Sequence, residues 1–245
     1  MSATAEQIGQ GDVRALARAA TWIENGAPEA EPLLQELAAR AGKALVVGIT
    51  GPPGAGKSTL CDQLIRAIRA QGQRVAVIAV DPSSPLTGGA LLGDRIRMQR
   101  HHDDPGVFIR SMATRGWHGG VAKATGDLAK LLDAAGFDVV LIETIGVGQA
   151  EVDVARVAGV TVVVLVPGAG DDVQASKAGI MEIAQVFVIN KADLPGADRL
   201  EQELHASLAL GGGTVPPIIK VVALEGKGVE ELLAAVRLES ARHEN

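Results

Sequence analysis

The run Gly51-Pro52-Pro53-Gly54-Ala55-Gly56-Lys57-Ser58 follows an apolar stretch, Ala44 to Ile49, and opens a helical pattern from Thr59. A strand, a glycine-rich turn and a helix in that order leave few folds open, because the turn brings backbone N–H groups and the positive end of the helix to one point. Glycines keep side chains out of the way, so an anion can reach the backbone. The spacing is that of a phosphate-binding loop, with Lys57 set to neutralise β- and γ-phosphates and the Ser58 hydroxyl set to bind Mg²⁺. Gly51, Pro53, Gly54, Ala55, Gly56, Lys57, Ser58 and Thr59 together are the expected cradle for a nucleoside triphosphate. A glycine-rich turn that merely contains Lys-Ser would not account for the strand before it and the helix after it.

The base is addressed by Asn190-Lys191-Ala192-Asp193, which directly follows the strand pattern Val186-Phe187-Val188-Ile189. A carboxylate at Asp193 accepts two hydrogen bonds from guanine N1–H and N2–H₂, donors that adenine does not offer in that arrangement. The stem of Lys191 is long enough to lie along the ring plane. Guanine is therefore the expected base, and an ATP-dependent small-molecule kinase becomes the second reading.

Composition narrows the class further. The chain has 245 residues, 47% hydrophobic and only 2% aromatic, which points to one α/β core built from Val, Ile, Leu and Ala. A net charge of −6 without a block of Lys or Arg argues against nucleic-acid and membrane-surface roles, since both rely on clustered positive charge. Cys61 is the sole cysteine, so no intrachain disulfide is possible. No signal-peptide pattern precedes the first helix, and a reducing cytoplasmic setting is expected. No apolar run approaches the roughly 20 residues of a membrane span.

Two helical stretches, Gly11 to Asn25 and Pro28 to Arg40, are separated by Gly26-Ala27-Pro28. From Ala44 onward, strands are expected near 44–49, 74–80, 107–111, 138–142, 160–166, 186–189 and 218–223. Helices are expected near 57–71, 89–101, 117–135, 150–157, 172–183, 198–208 and 228–237. Continuous apolar strands joined by helices predict an α/β fold with a mainly parallel central sheet flanked by helices. The expected organisation is a helical segment over 1–42, a P-loop NTPase domain over 43–238 and a tail over 239–245.

Ligands of such sheets collect at the carboxyl ends of the strands, and several residues are expected there. Asp81, Asp94 and Glu143 are candidates for Mg²⁺ or its waters, because an octahedral Mg²⁺ keeps several waters and needs few protein oxygens. The Gly146 N–H is placed to sense a γ-phosphate, and 143–149 is a switch candidate. Gln149 either orients the attacking water or caps the next helix. The loops 81–94 and 167–172 are rich enough in Gly, Pro and Ser to respond to nucleotide, although Asp171 or Asp172 equally suits a helix N-cap. His101-His102 lacks partners at metal spacing and reads as a solvated helix end; Arg110 is open between phosphate and a surface.

Six ordered motifs now stand in one chain: Gly51 to Ser58, Val80-Asp81-Pro82-Ser83-Ser84, Gly93-Asp94-Arg95-Ile96-Arg97-Met98, Arg110 to Gly116, Glu143 to Gln149 and Asn190 to Asp193. Together, over roughly residues 11–236, they resemble the MeaB/MMAA family, also labelled ArgK. The resemblance implies a GTPase of the signal-recognition and metal-insertion (SIMIBI) class that turns GTP into GDP and phosphate. It implies a chaperone that gates adenosylcobalamin delivery to a B12-dependent acyl-CoA mutase of methylmalonyl-, isobutyryl- or hydroxyisobutyryl-CoA type. By that likeness Lys57, Glu143 and Gln149 are the catalytic group. Ser58, Asp81, Asp94 and Glu143 serve Mg²⁺. Asn190, Lys191, Asp193 and the base-side pair Ala223-Leu224 hold guanine, and 167–177, with Lys177, is a switch that couples to the mutase. Val222 stands where relatives tend to have Ser. The homodimer expected of the family would form here without its C-terminal arm, since the chain stops soon after the helix at 228–237. A nickel-insertion GTPase is the alternative, and it would want a Cys/His cluster that one cysteine and one histidine pair supply poorly.

Overall fold

The apolar runs form seven strands: β1 (Leu45–Thr50), β2 (Val75–Asp81), β3 (Val107–Ala113), β4 (Val139–Thr144), β5 (Val160–Leu165), β6 (Val186–Asn190) and β7 (Ile218–Val221). They are rich in Val and Ile, whose branched side chains suit a pleated surface packed on both faces. They lie in one parallel sheet in the order β3-β2-β4-β1-β5-β6-β7, as the apolar patterning requires. Every residue of β4, β5 and β6 is buried. The helices are α1 (Ala3–Gly9), α2 (Val13–Asn25), α3 (Ala30–Leu37), α4 (Lys57–Ala70), α5 (Gly120–Ala134), α6 (Ala150–Val157), α7 (Ala197–Leu210) and α8 (Val229–His243).

The computed structural model describes residues 2–81, 99–101, 103–113, 120–144, 150–168, 181–210 and 215–243. Asp94, Arg115, Gly146, Gln149, Asp171, Asp172 and Lys177 lie outside the described residues, as do His102 and most of the loops expected to respond to nucleotide.

The chain divides into two units. The first joins residues 1–46 to 68–142. Asp12 starts α2 by accepting from Arg14 N–H (2.8 Å) and Ala15 N–H (3.0 Å), and Gly26 in the left-handed region stops it. The inner face of α2 (Leu16, Ala19, Ala20, Ile23) packs on α3 and α5. Asp133 of α5 accepts from the N–H groups of Gly42, Lys43 and Ala44, which fixes how the chain enters β1. Arg110 of β3 donates to Glu24 and to Thr21 of α2, so the arginine whose role the sequence left open is spent inside this unit. His101 is buried at 9% exposure, against the solvated helix end expected of it. Its carbonyl accepts from Asp104 N–H (3.2 Å), which folds it into the turn that carries Asp104 to Arg69.

The second unit joins residues 47–67 to 143–245. Phe187, Ile189, Val163 and Leu165 form its core with Ala197 and Leu204 of α7, while Val229, Leu232, Leu233 and Val236 of α8 are buried in a helix that packs on β5, β6 and β7. The last helix continues to His243 rather than ending near 237: Glu239 is buried and pairs with Arg242 one turn on (2.5 Å). Registers pair Thr50 with Val163, Leu165 with Ile189, and Asn190 with Val221. The chain therefore leaves β1, β5, β6 and β7 at one edge, the edge where parallel sheets gather ligands.

Candidate functional site

Within the second unit, Gly51 to Gly56 links the end of β1 to the start of α4. Its glycines are forced. Gly51 sits at φ 136°, where an added Cβ would stand 2.1 Å from the Val164 carbonyl oxygen, and Gly56 at φ 87°, where a Cβ would stand 2.4 Å from the Asn190 amide nitrogen. Neither position admits a side chain.

The carbonyls of this loop are nearly all taken. Lys57 Nζ donates to Gly51 O (2.8 Å) and Pro52 O (3.0 Å), Lys191 Nζ to Gly54 O (3.0 Å), and Asn190 Nδ2 to Ala55 O (2.8 Å). The Leu60 N–H reaches Gly56 O (2.9 Å). The C=O and N–H of one peptide unit point in opposite directions. Holding the carbonyls of Ala55 and Gly56 therefore turns the N–H groups of Gly56 and Lys57 the other way, which orients amides at the head of α4. Pro52 and Pro53 have no N–H, so the donors for an anion begin at Gly54. Added to the positive end of α4, this makes an anion cradle.

On the other side of the helix start, Ser58 Oγ donates to Glu143 Oε1 (2.6 Å), with Ser58 at 8% and Glu143 at 4% exposure. A buried hydroxyl and a buried carboxylate in contact form a hard-oxygen pair, the donor type that suits Mg²⁺. Lys57, also buried, puts a positive charge on the same helix turn. Asp81 is the last residue of β2. Among the described residues no three His, Cys, Asp or Glu side chains gather as a metal-binding group.

At the base side, Asn190 is 2% exposed, and both ends of its amide are bonded: Nδ2 to the Ala55 carbonyl and Oδ1 from the Ala223 N–H (3.1 Å). It ties the phosphate loop to the turn after β7, where the sequence had grouped it with the base contacts. Lys191 has φ 54°, and among the described residues it is the one non-glycine with positive φ. Its link to Gly54 and the Ala192 N–H bond to Val221 O (3.1 Å) hold that strained turn. Asp193 is exposed beyond it, and Leu224 is 84% exposed while Ala223 is buried. Lys227 has its pKa raised, first by the hydrogen bond to Glu225 and in smaller part by the charge of Asp193. Val222 serves the turn through its backbone, donating to Lys227 O (3.1 Å) and accepting from Glu225 N–H (2.9 Å).

The structure thus brings together Gly51, Pro53, Gly54, Ala55, Gly56, Lys57, Ser58, Thr59 and Glu143 around the head of α4, and Asn190, Lys191, Asp193, Ala223 and Leu224 around the ends of β6 and β7. Two residues missed by the sequence reading also stand here. Thr144 Oγ1 is 3.0 Å from Thr50 Oγ1, both fully buried. Hydroxyls flanking Gly51 and Glu143 were the only available signal, and nothing local paired them.

Comparison with known proteins agrees with this architecture. The family model described as methylmalonyl Co-A mutase-associated GTPase MeaB matches residues 16–244. A Pyrococcus abyssi protein named as a GTPase is 57% identical over 233 residues, 93% of this chain and 72% of that one. The mouse protein named methylmalonic aciduria type A homolog, mitochondrial, is 40% identical over 78% of this chain and 48% of its own length. Among solved structures, that of a protein named LAO/AO transport system kinase superposes with a TM-score of 0.76 at 30% identity, covering 97% of this chain and 74% of that one. HypB from Helicobacter pylori, in complex with nickel, shares the fold at 16% identity and a TM-score of 0.62, covering 86% of this chain and 93% of that one. A phosphate cradle at the head of α4, an Asn-Lys-Ala-Asp turn after β6 and a family match over nearly the whole chain converge: the protein belongs to the MeaB family of P-loop GTPases.

Proposed function

We propose that this GTPase acts as a chaperone of an adenosylcobalamin-dependent acyl-CoA mutase, using GTP hydrolysis to time cofactor delivery and to protect or reactivate the mutase. The family match over residues 16–244, to a model described as mutase-associated, carries the reading. The name of the mouse relative points the same way.

In this proposal Lys57 leaves the Gly51 and Pro52 carbonyls to neutralise β- and γ-phosphates, joined by the amides from Gly54 to Thr59. Ser58 and Glu143, with Asp81 and Asp94, hold Mg²⁺, which would supply charge neutralisation between the phosphates. Asp193 selects guanine, Lys191 and Leu224 flank the ring, and Asn190 with Ala223 fixes the turns that present them. Phosphoryl transfer to water needs positioning and charge stabilisation more than covalent chemistry, and Gln149 and Gly146 are proposed for the water and the γ-phosphate. The nucleotide-binding portion is placed at 43–238, and the active species is proposed to be a cytoplasmic homodimer.

The test is GTP turnover with candidate mutases of methylmalonyl-, isobutyryl- and hydroxyisobutyryl-CoA type, alongside cobalamin loading followed by absorbance. One mutase is expected to raise turnover and to load cofactor in step with hydrolysis. Turnover indifferent to every mutase, with loading unchanged, would overturn the chaperone reading and leave a GTPase of other purpose.

A further inference from the structure

Glu143 and Thr144 are successive residues of β4, so their side chains stand on opposite faces of the sheet. Glu143 accepts from Ser58 at the head of α4 (2.6 Å), while Thr144 Oγ1 meets Thr50 Oγ1 (3.0 Å), with Ile49 O at 3.5 Å. Thr50 is the last residue of β1, directly before Gly51. The end of β4 is thus pinned on one face to the phosphate-loop helix and on the other to the root of the loop. Thr50 and Thr144 are 0% and 1% exposed, so water does not compete for either hydroxyl, and a buried hydroxyl that loses its partner costs free energy.

We propose that the Thr50–Thr144 hydroxyl pair is a positioning device: it sets the height of the β4 end against the phosphate loop and thereby holds the Glu143 carboxylate on Ser58. Neither threonine touches substrate. Both act through Glu143 and Ser58, and the proposal rests on reading those two as the metal-side oxygens of the hydrolytic site. Backbone ladders hold strands along their length, but at Thr144 the chain is leaving the sheet, where a side-chain bond has most effect on position.

Valine keeps the shape of threonine and removes the hydroxyl. Thr144→Val is expected to lower kcat for GTP about fivefold with KM within about twofold, the size of one neutral hydrogen bond. Thr144→Ser restores the hydroxyl and should restore kcat. Thr50→Val removes the same hydroxyl pair but leaves Thr144 the Ile49 carbonyl, so its loss should be no larger than that of Thr144→Val, and the double variant should be no worse than Thr144→Val alone. A readout independent of turnover is the affinity for a fluorescent GDP with and without Mg²⁺. In Thr144→Val the gain from Mg²⁺ should shrink while the Mg²⁺-free affinity stays.

Wild-type kcat and an undiminished Mg²⁺ gain in Thr144→Val would overturn the proposal, as would losses that add in the double variant or an equal fall in affinity with and without Mg²⁺. If Thr144→Val does not fold, Thr50→Val and Thr144→Ser decide, and wild-type behaviour of Thr50→Val would overturn it. If the unaltered protein does not hydrolyse GTP, the hydrolytic reading fails and the GDP titration alone decides the role of the pair.

Discussion

Asn190 shows what a single residue contributes that its motif does not reveal. Its amide bonds Ala55, 135 positions earlier, and Ala223, 33 positions later, and one orientation satisfies both, a carbonyl facing the NH₂ and an N–H facing the oxygen. Asn190→Ala leaves a buried carbonyl and a buried N–H without this partner, at a cost of about 2–3 kcal/mol. The expected outcome is a lower urea midpoint together with weaker binding of GTP and GDP alike, read by denaturation and nucleotide titration. Nucleotide affinity unchanged at full occupancy of the folded state would show that the two turns are set independently. The strand pattern placed this residue at the end of β6, as found. It gave no sign that the side chain faces inward, because both partners are distant backbone groups. Thr50 and Thr144 were silent because each hydroxyl meets the other 94 positions away.

At the scale of elements, strands were more legible than helix ends. Apolar runs bounded β1 to β7 to within a few residues, most cleanly in β4, β5 and β6, where burial on both faces leaves no exposed position, and less so in β3, with Arg110 and Ser111, and β7, with Lys220. The seven-residue α1 was missed because, among its described side chains, Ala5 and Ile8 are the buried apolar ones, too few to make a period. The C-terminal extension of α8 was missed because its anchor is a buried Glu239 paired with Arg242, which reads as solvent-facing. A further tie holds the end of α4: Arg69 donates twice to Asp104, both at 2.9 Å, and once to Gln73 O (2.7 Å). The Arg69 guanidinium, and then the Gly106 N–H, hold the Asp104 carboxyl below its ordinary value of 3.8. A lowered folded pKa means stability that is present above the ordinary value and lost as pH falls through the lowered one. Asp104→Asn should therefore cost about 1–2 kcal/mol at pH 7, half-exposure discounted. The gap to the unaltered protein should begin to narrow below about pH 4 and shrink progressively as pH falls further, as urea midpoints across pH 2–7 would show. A gap of the same size at every pH from 7 to 2 would mean that packing, not charge, makes the tie.

For the whole molecule, the order of motifs carried more than any one of them. A phosphate loop alone fits many NTPases, and an Asn-Lys-Ala-Asp turn two strands away in the sheet brings the two motifs to one edge. That much was legible, and so was family membership. The pairing of the helical prefix with residues 68–142 was not, because it rests on small residues, Ala19 and Ala20, packing between helices, and on Arg110 reaching back to Glu24. In the proposed function this edge binds guanine nucleotide through Asp193. The most direct test is a competition titration of GTP against ATP on the purified protein and on Asp193→Asn. The expected result is a strong preference for GTP that falls by at least about tenfold in the variant, the loss of one or more hydrogen bonds to a charged acceptor. Equal affinity for GTP and ATP, or a preference untouched by the substitution, would contradict it.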